Sequence, residues 1–149
     1  MLRVVAGIAL MAAVGCSGHG YEPPERTAQV LAEETRVAAL IERHEAPAFE
    51  NRSGRCDVRI LGMEGDSTFA WAECTYPAGR GEAPAAGVST AYRIEGQSVR
   101  GPQDGSGYSE SIKQLFPVSV AQAILDDQEQ VRPHPREPEQ RTPPATPRS

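Results

Sequence analysis

Between Glu25 and His44, Val30, Glu34, Val37, Ala38, Ile41 and His44 recur near one stripe of a 3.6-residue period, with Leu31 and Leu40 at its flanks. The spacing predicts a helix over 25–44. Pro23 and Pro24 precede it and Pro47 stops it. Glu22 with Arg26, and Glu33 with Arg36, stand at spacings that allow ion pairs along its exposed side. Residues 51–54 read as a turn.

The period then shortens to two. Residues 56–63 (CDVRILGM) and 68–76 (TFAWAECTY) predict a hairpin around the turn Glu64-Gly65-Asp66. Reflecting the chain about Gly65 sets Cys56 opposite Cys74, Val58 opposite Ala72 and Ile60 opposite Ala70. On the other face Leu61 meets Phe69 and Arg59 meets Trp71, as a stacked pair. Opposed residues of a non-hydrogen-bonded pair have Cα atoms ~4.5 Å apart, within disulfide reach. A Cys56–Cys74 bond is therefore expected. The same register opposes Asp57 to Glu73, a repulsion that a bulge or Arg55 would relieve.

Val88, Thr90, Tyr92 and Ile94 alternate on a third strand. Glu95-Gly96-Gln97 turns the chain into a short fourth strand, Ser98 to Arg100. After the loop 101–107, Tyr108, Ile112, Leu115 and Phe116 share a helical face. Pro117 suits the first turn of a second helix, whose face is Val120, Ala121, Ile124 and Leu125. The order is helix, four strands, then a C-terminal helix pair. It predicts an α+β fold with an antiparallel sheet covered on one face by helices.

Composition sets the limits of that domain. The 149-residue chain is 39% apolar, against ~45–50% for ordinary soluble domains. Residues 128–149 hold six of its thirteen prolines and no aromatic, and read as a disordered Pro-rich tail. Residues 16–24 read as a Gly/Pro linker, leaving 25–127 as the α+β domain. The net charge of −5 argues against nucleic acid as a partner.

Residues 1–15 have the pattern of an export signal. Met1-Leu2-Arg3 is a short positive segment, followed by an uncharged eleven-residue apolar run, Val4 to Val14. As a helix that run spans ~17 Å, too little for a ~30 Å hydrocarbon core. Ala13-Val14-Gly15-Cys16 resembles the lipobox of bacterial lipoproteins. The resemblance implies cleavage before Cys16 and a diacylglyceryl thioether on its sulfur, commonly with an acylated amine. It implies a protein held by that lipid on the extracytoplasmic side of a membrane in the bacterial cell envelope. Ala13 and Gly15 also suit an ordinary signal-peptide cleavage site. Cysteine parity favours the lipoprotein: with Cys16 lipidated, Cys56 and Cys74 remain as an even pair where a disulfide persists.

Candidate chemistry is sparse. Asp104-Gly105-Ser106-Gly107 is similar to the middle of a calcium loop, but Pro102 and Lys113 then fall where ligands are required. The expected role is a turn, with Asp104 or Ser106 capping the next helix. His19, His44 and His134 have no zinc-ligand spacing, and neither metal nor cofactor is expected. Ser89, in Gly87-Val88-Ser89-Thr90-Ala91, lacks the closing glycine of a hydrolase elbow, so no catalytic residue is assigned.

Phe69, Trp71 and Tyr92 form a candidate binding patch, in competition with burial beneath helices. The Pro/Arg tail is a candidate contact for a protein partner. The expected function is a non-catalytic, membrane-tethered binding or interaction module. Its rivals are a small exported hydrolase using two of Asp57, Glu73, His44 or Asp104, and a carrier of an apolar ligand. The oligomeric state is open.

Overall fold

Thr27 begins the first helix. Its backbone is extended (φ −69°, ψ 166°), and its Oγ1 accepts the Val30 amide at 3.3 Å. In the computed structural model, which describes residues 20–78 and 85–133, helix α1 runs Ala28–Glu45. It starts three residues later than its periodicity suggests, because Thr27 supplies the cap. Arg43 and His44 complement the dipole in its last turn, and Pro47 lies in a 3-10 turn, Ala46–Phe49. The buried stripe is Val30, Glu34, Val37, Ala38, Leu40 and Ile41. Leu40 therefore belongs to it and His44 does not. Arg26 pairs with the buried Glu34 at 2.8 Å, not with Glu22 as its spacing suggests, while Glu33 and Arg36 pair as expected.

Strands β1 (Arg55–Glu64), β2 (Ser67–Tyr76), β3 (Ala86–Glu95) and β4 (Ser98–Arg100) form one antiparallel sheet in chain order. Two-residue loops, Gly65-Asp66 and Gly96-Gln97, join β1 to β2 and β3 to β4. Gly65 (φ 56°) and Gly96 (φ 60°) supply the left-handed backbone such loops require. The β1–β2 register follows the mirror about Gly65 from Cys56–Cys74 through Ile60–Ala70. It then shifts. A bulge takes up Leu61, and Gly62 pairs with Phe69 in its place. The expected Leu61–Phe69 pairing is lost, although both side chains stay buried in one cluster.

Cys56 and Cys74 are disulfide-bonded, with Cα atoms 3.9 Å apart and a sequence separation of 18. Closing a loop of that size stabilises the fold by ~3 kcal/mol through lost chain entropy in the unfolded state.

Both sheet faces are covered, not one. On the first, Val37 and Ile41 of α1 join Val58, Ile60, Ala70, Ala72, Tyr92 and Ile94 in one cluster. On the second, Leu61, Phe69, Trp71 and Ala91 lie under α2 (Tyr108–Leu115), α3 (Val118–Asp126) and α4 (Gln128–Val131). The cause is visible in β2. Ala70, Ala72 and Cys74 point one way, Phe69 and Trp71 the other, so each face needs a cover.

Phe116 is extended (φ −119°, ψ 150°) and Pro117 stands at the start of α3, separating α2 from α3. Neither Asp104 nor Ser106 caps α2, as Gly107 occupies that position. Ser111 does the local tying instead. Its Oγ accepts the Gln103 amide at 2.9 Å and donates to the Tyr108 carbonyl at 2.8 Å.

The domain is longer at both ends than composition suggests. Val131, expected in the tail, is fully buried in α4. Tyr21, expected in the linker, packs against the second cluster. Cys16 and the tail beyond residue 133 lie outside the described residues.

Candidate functional site

Residues 20–24 lie along the helical layer and help line two clefts of that face. The Tyr21 hydroxyl donates to the Leu61 carbonyl at 2.8 Å, at the β1 bulge. The Tyr21 carbonyl accepts from Gln130 Nε2 at 3.0 Å. Burial pushes the Tyr21 phenol up from 10.0 to about 12, against a smaller opposing pull from Arg59. One cleft of about 420 Å³ opens between Tyr21, Pro24, Phe69, Pro117 and Val120. A second, of about 380 Å³, lies between Gly20, Tyr21, Ser119, Gln122, Asp126 and Gln130. A third, of about 460 Å³, is lined by Lys113, Val118, Ala121, Gln122, Leu125 and Asp126. Val118 is 84% exposed, the most open large apolar side chain among the described residues.

Phe69, Trp71 and Tyr92 do not make a surface patch. All three are buried. Tyr92 pairs with Ala70 and so shares the α1 face, whereas Phe69 and Trp71 lie under α2–α4. Trp71 Nε1 donates to Ser89 Oγ at 3.1 Å, and Ser89 Oγ stands 3.4 Å from Glu73 Oε1. The Ser89 hydroxyl thus bridges an indole and a carboxylate. Arg59 pairs with Trp71 in the register, but its Nη1 donates to the Gln130 and Arg132 carbonyls at 2.7 and 3.1 Å. The guanidinium is spent on the C-terminal end of α4 and the residue after it, and the expected stacking gives way to it.

The sheet also divides the proposed hydrolase residues. Asp57 and Glu73 oppose each other in β1 and β2, and Glu73 accepts from Arg132 Nε at 2.6 Å. Arg132 thus offsets the Glu73 side of the carboxylate opposition. His44 lies at the end of α1, with Nε2 3.8 Å from Glu45 Oε1 and its ring edge-on to Tyr92 at 6.3 Å. The Tyr92 hydroxyl donates to the same Glu45 oxygen at 2.8 Å. Burial, the bond to Glu45 and the nearby negative charge, including Asp104, hold that phenol far above its ordinary range. Glu42 Oε1 accepts the Cys56 amide at 2.9 Å. This cluster ties the C-terminal end of α1 to the sheet and serves as structure.

Among the described residues no group of three or more His, Cys, Asp or Glu could hold a metal ion, and no helix is long and apolar enough to cross a membrane. Tyr21, Gln130 and Arg132, which shape the helical face, carry one signal in the sequence. Tyr21 and Val131 are large apolar groups standing alone inside segments otherwise rich in Gly, Pro and charge. No protein-family model, curated protein or solved structure matches this chain.

Proposed function

We propose that the chain is an envelope lipoprotein whose α+β domain is a non-catalytic binding or interaction module, tethered to a membrane through lipid on Cys16. The observation that carries this reading is the cysteine arithmetic. Cys56 and Cys74 are joined to each other, leaving Cys16 as the single cysteine outside the bond. That cysteine closes the lipobox-like Ala13-Val14-Gly15-Cys16, behind a charged start and an apolar run. Several acyl chains on one residue hold a protein on a bilayer stably, where a single chain does not. Partner contact falls to the domain surface and to the Pro/Arg tail.

Native, non-reducing mass spectrometry of protein purified from its own cell envelope tests this. The expected mass starts at Cys16, carries acyl chains and lacks the two hydrogens of one disulfide. Cys16→Ser removes the acyl mass and releases the protein from the membrane fraction. An unlipidated product with a free or intermolecularly bridged Cys16 sinks the reading. A co-purifying mass identifies the partner class.

A further inference from the structure

We infer that the helical face bearing Gly20, Tyr21 and the start of α3 rests on the bilayer, with Val118 as its apolar contact; this rests on the lipid anchor proposed above. Four Cα–Cα steps separate Cys16 from Gly20, a reach of ~14 Å at full extension. A domain of this size has a radius of gyration of ~13 Å. The tether is too short for the far side of the domain to swing round to the membrane. Nor can the domain lengthen the tether cheaply, because Tyr21 is pinned through its hydroxyl to Leu61 and through its carbonyl to Gln130.

The surface next to that fixed point is α3. Val118, Gln122 and Asp126 are one ridge at i, i+4 and i+8. Gln122 and Asp126 also line the cleft that contains Gly20. Val118 begins that ridge, one turn ahead of Gln122, and so stands beside the cleft from which the anchor leaves. It continues into an apolar cleft with Ala121 and Leu125. One exposed valine is unremarkable on a free surface. Here a short lipid tether keeps the neighbouring surface close to an apolar phase. The exposed leucine of α1, Leu31 (43% exposed), lies on the opposite face of the sheet. Glu22, Asp126 and Asp127 border the contact face against a single cation, Lys113, and the acidic excess repels anionic headgroups, so its lipid surface is an electrically neutral one.

The test uses the full lipidated protein in vesicles of phosphatidylethanolamine and phosphatidylcholine. Val118→Cys and Leu31→Cys each receive a nitroxide, and mass confirms that Cys56–Cys74 is intact. Spin relaxation is compared between oxygen, which enters the bilayer, and a water-soluble nickel chelate. The expected oxygen-to-nickel ratio is several-fold higher at position 118 than at position 31. Equal ratios in protein that floats with the vesicles overturn the orientation and leave the anchor standing. Protein that fails to float overturns both.

Discussion

Arg132 Nε lies 2.6 Å from Glu73 Oε1, and this contact binds the last described turn of the chain to the central part of the sheet. Arg132 Nη1 also reaches Glu129 at 3.0 Å. Its bonds to Glu129 and Glu73 hold the guanidinium still further above its ordinary range. Both partners of the Glu73 pair are over a third exposed, so solvent screens the pair and it adds little to stability by itself. Its importance is positional. It closes the segment over Val131, which fills the second cluster.

Val131→Ala is accordingly expected to cost about 2 kcal/mol, from lost burial plus an incompletely collapsed cavity. Arg132→Ala should lower the midpoint by clearly less than Val131→Ala does. Urea unfolding followed by far-UV circular dichroism checks both. An unchanged midpoint for Val131→Ala would show that α4 is not part of the folded unit.

The same residue marks where the sequence is hard to read. In 128–149 the prolines set the average composition, and one valine cannot offset it, so the helix over Gln128–Val131 is invisible to any window that includes them. The β1–β2 register was legible as far as Ile60, because two cysteines and two apolar pairs, Val58–Ala72 and Ile60–Ala70, agree on one mirror point. Leu61 was not: it sits in a bulge where its carbonyl accepts from the Tyr21 hydroxyl, forty residues away in the chain. The second helical layer had a signal in Phe69-Ala70-Trp71-Ala72, apolar on both parities, which a strand with one wet face does not show. Residue type alone groups Tyr92 with Phe69 and Trp71, and only the β2–β3 register separates them by face.

Gly54 and Gly65 should fail for different reasons when each becomes alanine. A Cβ on Gly54 would overlap the Tyr76 ring, which is 1% exposed and stacked on Phe49 at 4.1 Å between centroids. Gly65→Ala meets open space but must hold φ 56°. The expected losses are ~1–3 kcal/mol for the first and ~1–2 kcal/mol for the second. In a Phe49→Ala background the Tyr76 ring can move, and only the Gly54→Ala penalty should shrink. Equal penalties in both backgrounds would count against steric overlap at Gly54.

Alkaline titration should find the phenols protected. All four tyrosines, Tyr21, Tyr76, Tyr92 and Tyr108, are raised above 10.0, each chiefly by burial, and Tyr21 to about 12. A raised acid pKa favours the protonated form in the folded state. Its contribution to stability is complete below pH 10 and is lost as pH rises toward 12. Tyrosinate absorbance at pH 10 should therefore stay well below half of full ionisation, then climb together with unfolding. Half-ionised tyrosines at pH 10 with native circular dichroism would contradict the buried positions.

The Gln130–Tyr21 hydrogen bond brings together two points 109 residues apart in the chain. Tension applied between the two ends of the chain would enter the domain at these adjacent points. It would peel α4 and Tyr21 away one contact at a time before it loaded the strands. Past that stage the Cys56–Cys74 bond withholds its 18-residue separation from the pull, about 60 Å of chain that cannot be paid out. Mechanically, the domain behaves as a latch with a short stroke and a locked hairpin behind it.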